Sequence, residues 1–448
     1  TNLIFLTAYF IFFNTNYFVF NILTLSFLGF SHSNLAGLIL ICYKNLNMEN
    51  HLSMNRRAWL KKSLLTTTGA IAAPYLGFSN RNYTHLKFDQ HGNIIHGSSF
   101  KEFTLNDKMN YPVLQAKLNA NENPYGPSPM ALSAFNSSVS KSNRYAWDEL
   151  FELTEEIAEF EGVLPENIVL GPGSSDLLEK TAICYFMDGG NIISADPAYM
   201  SLIKVAQEAG AEWKSVPLKE DWSHDLEAMK KAVDSDTKLI YICNPNNPTG
   251  TITDSKELVN FCREMSKKTT VFIDEAYLWF LEDGAKQSMV SLVNEGCDVI
   301  IARTFSKIHG LAGLRIGYAV ANTKSIEKIQ RITRAGMGIS LPSVYAAKSA
   351  LKDVAFIEKS RSLNFEARAY TYGTLIDAGF DPVESHTSFM IFPIDMEGKE
   401  FLNRMRMNSV AVRAFEFMDK TWCRVSIGTL SEMEIFSKSV KDVLTRKA

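Results

Sequence analysis

Between Asn167 and Arg303 the chain repeatedly turns apolar for five or six residues and then reverts to mixed polar and apolar positions. The apolar runs are NIVLG (167–171), NIISA (191–195), KLIYIC (238–243), TVFID (270–274) and VIIAR (299–303). They are rich in β-branched residues and lack the strict alternation of a half-buried strand, so they predict strands covered on both faces. The stretches between them carry helical spacing, as from Asp254 to Ser266. Strands alternating with helices at this interval predict a three-layer α/β domain with a mostly parallel sheet. After Ser343 the pattern changes to a long helix and then to strands near Phe389–Pro393 and Arg424–Ile427, which predicts a smaller α+β domain. The expected division is a linker over 81–115, an N-terminal arm over 116–150, a large domain over 151–342 and a small C-terminal domain over 343–448. No internal repeat interrupts it.

The first eighty residues follow other rules. No Asp, Glu, Lys or Arg occurs from Thr1 to Tyr43, and residues 2–30 are apolar over a length that could span a bilayer. The first methionines are Met48 and Met54, and the bias of the opening segment toward Phe, Ile, Asn, Leu and Tyr matches an AT-rich upstream region read in frame. Residues 1–47 are therefore expected to precede the natural start; the competing expectation is a membrane anchor within residues 2–30. Residues 55–62, NRRAWLKK, resemble a twin-arginine export signal, with Arg56, Arg57, Trp59, Leu60 and Lys61 in the motif's places and an apolar stretch from Ser63 to Ala73 behind. The order basic, apolar, small predicts an export region over 48–80 and a periplasmic destination.

Charge and cysteine usage narrow the function. Lys plus Arg number 46 against 49 Asp plus Glu, which argues against the basic face of a nucleic-acid binder. The six cysteines form no C-x-x-C pair, so neither a disulfide scaffold nor a clustered zinc site is expected. No metal-ligand pairing exists in the sequence for His309.

Four motifs fall at strand ends, where open α/β sheets bind ligands. GPGSSD (171–176) follows a strand and opens a helix; its glycines admit an anion to the backbone, and Ser174 and Ser175 add donors at a helix N-terminus. A plain capped turn reads equally well there. CNPNNPTG (243–250) is a rigid turn that fixes Asn247. In DEAYLWF (274–280), Asp274 ends an apolar strand, and its half-buried carboxylate requires a cationic partner unless it only caps a helix. In ARTFSKIHGLAGLRIGY (302–318), Lys307 lies beyond a buried strand among Phe305, Ile308 and Leu311. Such a lysine is desolvated, loses basicity and becomes an imine-forming nucleophile. Arg315 in the same motif reads as a buried cation awaiting an anion.

Together with LNANENPYGPSP (118–129) and NRYAW (143–147), these motifs resemble the class I/II pyridoxal-phosphate aminotransferases of fold type I, from about Ala116 to the C-terminus. Within that family the order and spacing are most similar to the histidinol-phosphate aminotransferase branch. The resemblance implies that Lys307 binds the cofactor aldehyde and shuttles the Cα proton, while Asp274 pairs with the pyridinium nitrogen. Asn247 and Tyr277 would hydrogen-bond the cofactor's phenolic oxygen, and Tyr199 would stack on its ring. Ser174, Ser175, Ser306 and Arg315 would hold the phosphate, joined across a homodimer interface by Tyr145. Arg424, in CRVSIGT, would clamp the substrate α-carboxylate; Arg413 would meet a distal phosphate, and Tyr125 joins the substrate-binding set. Two places depart from the branch: Ser388 stands where asparagine is usual, and RAGMGIS (334–340) lacks a proline-aromatic-asparagine run. Both face the substrate in the family. The alternatives are another fold-type I enzyme (an amino-acid decarboxylase or lyase), an exported aminotransferase for aromatic or other amino acids, or a regulator with an inactive cofactor fold. Arg424 favours transamination, since decarboxylation gains nothing from a firmly held carboxylate. A regulator would need a DNA-binding helix-turn-helix, a pattern the first hundred residues lack.

Overall fold

The computed structural model describes residues 87–88, 94–95, 100–105, 109–332 and 336–445. The apolar segment expected over 1–47 and the export region expected over 48–80 lie outside the described residues. Among the described residues no helix is long and apolar enough to cross a membrane.

Fifteen strands are found among the described residues. β1 (Lys87–Phe88), β2 (Ile94–Ile95), β3 (Lys101–Glu102) and β4 (Ala116–Lys117) come first. β5 (Ile168–Gly171), β6 (Asn191–Asp196), β7 (Glu212–Pro217), β8 (Thr237–Cys243), β9 (Thr270–Asp274), β10 (Val299–Thr304) and β11 (Gly317–Ala321) follow. β12 (Phe389–Pro393), β13 (Val410–Ala411), β14 (Arg413–Phe417) and β15 (Lys420–Ser426) complete the set. A seven-stranded sheet runs β5-β11-β10-β9-β8-β6-β7; β11 is antiparallel to both neighbours and the remaining pairs are parallel. Every residue of β5, β9, β10 and β11 is buried, as unalternating apolar runs require. Helices cover the sheet with amphipathic faces: in Ser255–Met265, Leu258, Phe261, Cys262 and Met265 are buried, and Asp254 caps the start by accepting from the Lys256 and Glu257 amides. The predicted three-layer domain is therefore present.

The second sheet departs from expectation. Its order is β1-β2-β3-β14-β15-β12, so residues 81–115 are not simply a linker. β3 pairs antiparallel with β14, placing Glu102 opposite Phe415, and Phe103 is buried in the small domain's core with Leu118, Phe392, Phe401 and Phe436. Strands of two residues carry too little periodicity to be seen in a sequence. The arm also joins this region, since β4 pairs parallel with β13.

Other differences have local causes. The long helix expected after Ser343 is two helices, Leu341–Lys352 and Val354–Asp377. Asp353 divides them because its carboxylate accepts from the Phe356 amide and caps the second. β7 has no apolar run to announce it; it is the sheet's edge, with a largely polar, exposed pattern. β11 lies hidden at the end of the glycine-rich motif that closes at Tyr318.

Candidate active site

The carboxyl ends of the parallel strands open onto a cavity of about 800 Å³. Lys307, Asp274, Asn247, Tyr277, Tyr199, Ser174, Ser175, Ser306, Arg315, Arg424 and Arg413 all line it. The four motifs, spread from Gly171 to Tyr318, therefore converge. What unites them is their position just beyond β5, β8, β9 and β10.

One end of the cavity is built for an anion. The turn at Gly173 has φ +88°, a conformation that favours glycine, and the tip of Arg315 fills the space a Cβ would take. The helix Ser174–Phe186 starts at this turn without a side-chain cap, which leaves its first amides available to an anion. Ser175 Oγ lies 3.2 Å from the Tyr199 hydroxyl. Arg315 donates to Ala312 O at 2.9 Å and, at 3.4 Å, to Ser306 Oγ and Pro172 O. It is exposed, contrary to the buried cation read from its apolar flanks. Those flanks, Leu311 and Ile316, are themselves buried, while Arg315 adopts a left-handed φ of +51° at the cavity's edge.

The centre carries Asp274 and Lys307. Asp274 is 3% exposed and accepts from the Tyr241 hydroxyl at 3.3 Å and the Ala276 amide at 3.1 Å. Burial pushes its carboxyl up to about 6 despite those bonds. No ion pair to it occurs among the described residues, so the site suits a cationic ring N–H. Lys307 donates from Nζ to Asn121 O at 2.9 Å, with Nζ 5.4 Å from the Tyr277 ring centre. Burial, and then the charge of Arg424, brings its ammonium down to about 8, against the opposing pull of Asp274. The Tyr277 hydroxyl accepts from Asn121 Nδ2 at 2.9 Å.

At the other end Arg424 is 4% exposed between the rings of Phe389 and Phe415, and it donates from Nη1 to Asn247 Oδ1 at 2.9 Å. Its Nε has no partner among the described residues. Burial, and then neighbouring Arg413, lowers it to about 10. Arg413 stands opposite Arg424 in the β14–β15 register and is ion-paired with Glu102 of β3.

Some expected residues lie elsewhere. Tyr145 is 75% exposed, near Trp147, and does not line its own chain's cavity. Tyr125 and Ser388 border a separate small cavity, where the buried Ser388 Oγ has no partner among the described residues. In the loop 334–340, Arg334 and Ala335 lie outside the described residues; Gly338 stands near Pro172 and Ile339 is buried, and neither lines the main cavity. His309 packs on Phe305, and burial lowers its ring to about 4. Sequence reasoning assigns no role to Asn121, Glu102 or Lys204, all of which line the cavity. Asn121 is within its reach, since it stands inside LNANENPYGPSP; nothing in the sequence points to Glu102.

Residues 114–440 match the family described as aminotransferase class I and II. The chain belongs to that family. This aminotransferase is 36% identical over 330 residues to the histidinol-phosphate aminotransferase of Moorella thermoacetica, covering 73% of this chain and 85% of the relative. It is 33% identical to the enzyme of that name from Caldicellulosiruptor saccharolyticus, over 73% of this chain and 91% of the relative. Among solved structures, histidinol-phosphate aminotransferase from Sinorhizobium meliloti in complex with pyridoxal-5'-phosphate superposes with a TM-score of 0.70 at 26% identity, covering 75% of this chain and 92% of that one.

Aminotransferases of this fold type depend on pyridoxal phosphate, and the residues present fit it. Asp274, buried without an ion pair among the described residues, suits the pyridinium. The Gly173 turn with Ser174, Ser175, Ser306 and Arg315 suits the phosphate, and Asn247 with Tyr277 suits the phenolic oxygen. When bound, the cofactor supplies an aldehyde that condenses with amines and a ring that draws electrons from the substrate's Cα. Lys307 would take and return the proton at that carbon. Its lowered basicity yields a pH prediction. Only the neutral amine attacks an aldehyde, so uptake of pyridoxal phosphate by the cofactor-free enzyme should accelerate as pH rises, levelling off above about 8. Stopped-flow absorbance checks this; a rate still climbing about tenfold per unit beyond roughly pH 9 would mean an ordinary lysine.

Proposed function

We propose that this aminotransferase transfers the amino group of an α-amino compound to a 2-oxo acid, with Arg424 clamping the substrate's anionic group beside the amine. The buried Arg424, held on one side by Asn247 and unpartnered at Nε among the described residues, carries this reading: a buried guanidinium of this kind suits a bidentate carboxylate. The names of the relatives support histidinol phosphate as the amino donor. A second reading is a neutral α-amino acid, whose one carboxylate would sit at Arg424 as the phosphate of histidinol phosphate would; the Arg413–Glu102 ion pair disfavours donors with a second anion. Assay of histidinol phosphate, glutamate and neutral amino acids, with product identification, separates them. Turnover of histidinol phosphate at least tenfold above any neutral amino acid supports the first reading, and the reverse order the second.

A homodimer with shared active sites is part of the proposal. Tyr145, Trp147 and Phe151 are large exposed rings close together in sequence, an apolar surface of the kind subunits bury. A fully active monomer by light scattering would refute it. NRRAWLKK supports export by the twin-arginine route; fractionation should then find Arg56→Lys, Arg57→Lys protein retained in the cytoplasm, and unchanged export would defeat the idea.

A further inference from the structure

The distal end of the cavity combines Arg413, Glu102, Lys204, Phe100 and Phe415. Arg413 and Arg424 are directly opposite on antiparallel strands, an arrangement of like charges that costs stability unless a counter-charge intervenes. Glu102 supplies that charge. Its carboxylate accepts from both Nε and Nη2 of Arg413, occupying donors that a substrate anion would otherwise use. Glu102 belongs to β3, outside the residues 114–440 that match the family. Lys204 is also within electrostatic reach of Glu102 and Arg413, and burial lowers its basicity. The walls are apolar: Phe100 stacks on Phe415 at 5.4 Å.

On the reading of Arg424 as the clamp, we propose that Glu102 is a specificity-determining residue that closes Arg413 to distal anions, so that the enzyme prefers amino acids with uncharged side chains. An incoming phosphate or distal carboxylate must displace Glu102 and leave that carboxylate beside it. An apolar side chain instead packs against the phenylalanine rings and leaves the ion pair intact.

Binding to the pyridoxal-phosphate-loaded enzyme tests this without relying on turnover. Pentanoate and glutarate have the same chain length and differ in the distal carboxylate. By calorimetry, wild type should bind pentanoate at least as well as glutarate. Glu102→Gln keeps the backbone pairing and should bind glutarate about tenfold more tightly, with pentanoate unchanged, the gain expected when a charge-assisted contact becomes available. In Arg413→Ala/Glu102→Gln that gain should vanish. Equal changes for both ligands, or none, overturn the proposal. If Glu102→Gln fails to fold, Arg413→Ala alone decides: little effect on glutarate supports occupation of Arg413 by Glu102, and a tenfold loss overturns it. Failure of pentanoate to bind wild type removes the Arg424 reading and this proposal with it. Glutarate selectivity already present in wild type, with pentanoate bound normally, removes only the role of Glu102.

Discussion

Lys307→Ala should lose transamination by on the order of 10⁴-fold or more. Proton transfer by a positioned side chain alone accounts for about 10²–10⁴, and this variant also loses the amine that holds the cofactor. Lys307 lies between Asn121 O and the Tyr277 ring, within electrostatic reach of Asp274. Lys204, the other lysine among the described residues lining the cavity, stands at the distal end beside Glu102 and cannot replace it. Borohydride reduction of the wild type should leave a pyridoxyl mass on the peptide containing Lys307. Lys307→Arg keeps the charge and should fail equally. A label on any other lysine would displace the assignment.

Arg424→Ala should lower kcat/KM for every amino-acid substrate by about 10²–10⁴, the consequence of roughly 3–5 kcal/mol when one partner of a buried charged pair is removed. The loss should be uniform, because the group held is common to all such substrates. It also strips Asn247 Oδ1 of its donor, so part of the effect arises from disturbing a residue expected to face the cofactor. Arg424→Lys should recover little, since an ammonium cannot reproduce the planar fork. Loss of less than about tenfold would mean that the carboxylate is held elsewhere.

The large domain and its chemistry are legible in the sequence because both rest on strong local signals. β5, β6, β8, β9 and β10 are continuous apolar runs, and Asp274, Asn247 and Lys307 sit at their ends or in the turns that follow them. Lys307, Asp274 and Asn247 are marked by flanking residues whose burial the structure reproduces. Arg315 misleads because apolar neighbours predict burial only when the side chain follows them inward. Glu102 is unreadable for a different reason: its place is fixed by pairing with Phe415, far along the chain, through a strand of two residues. Long-range pairing of so short a segment leaves no periodicity to find.

The residues that fit the cofactor stand at strand ends and turns of the seven-stranded sheet, whereas Arg413, Arg424 and Glu102 stand on three neighbouring strands of the other sheet. On the proposals above, Lys307 and Asp274 of the first sheet would serve the reaction and Glu102 of the second would set side-chain preference. An engineer could exchange the short strand bearing Glu102, which lies outside the family's common body, and so redirect substrate choice while leaving the reaction itself untouched.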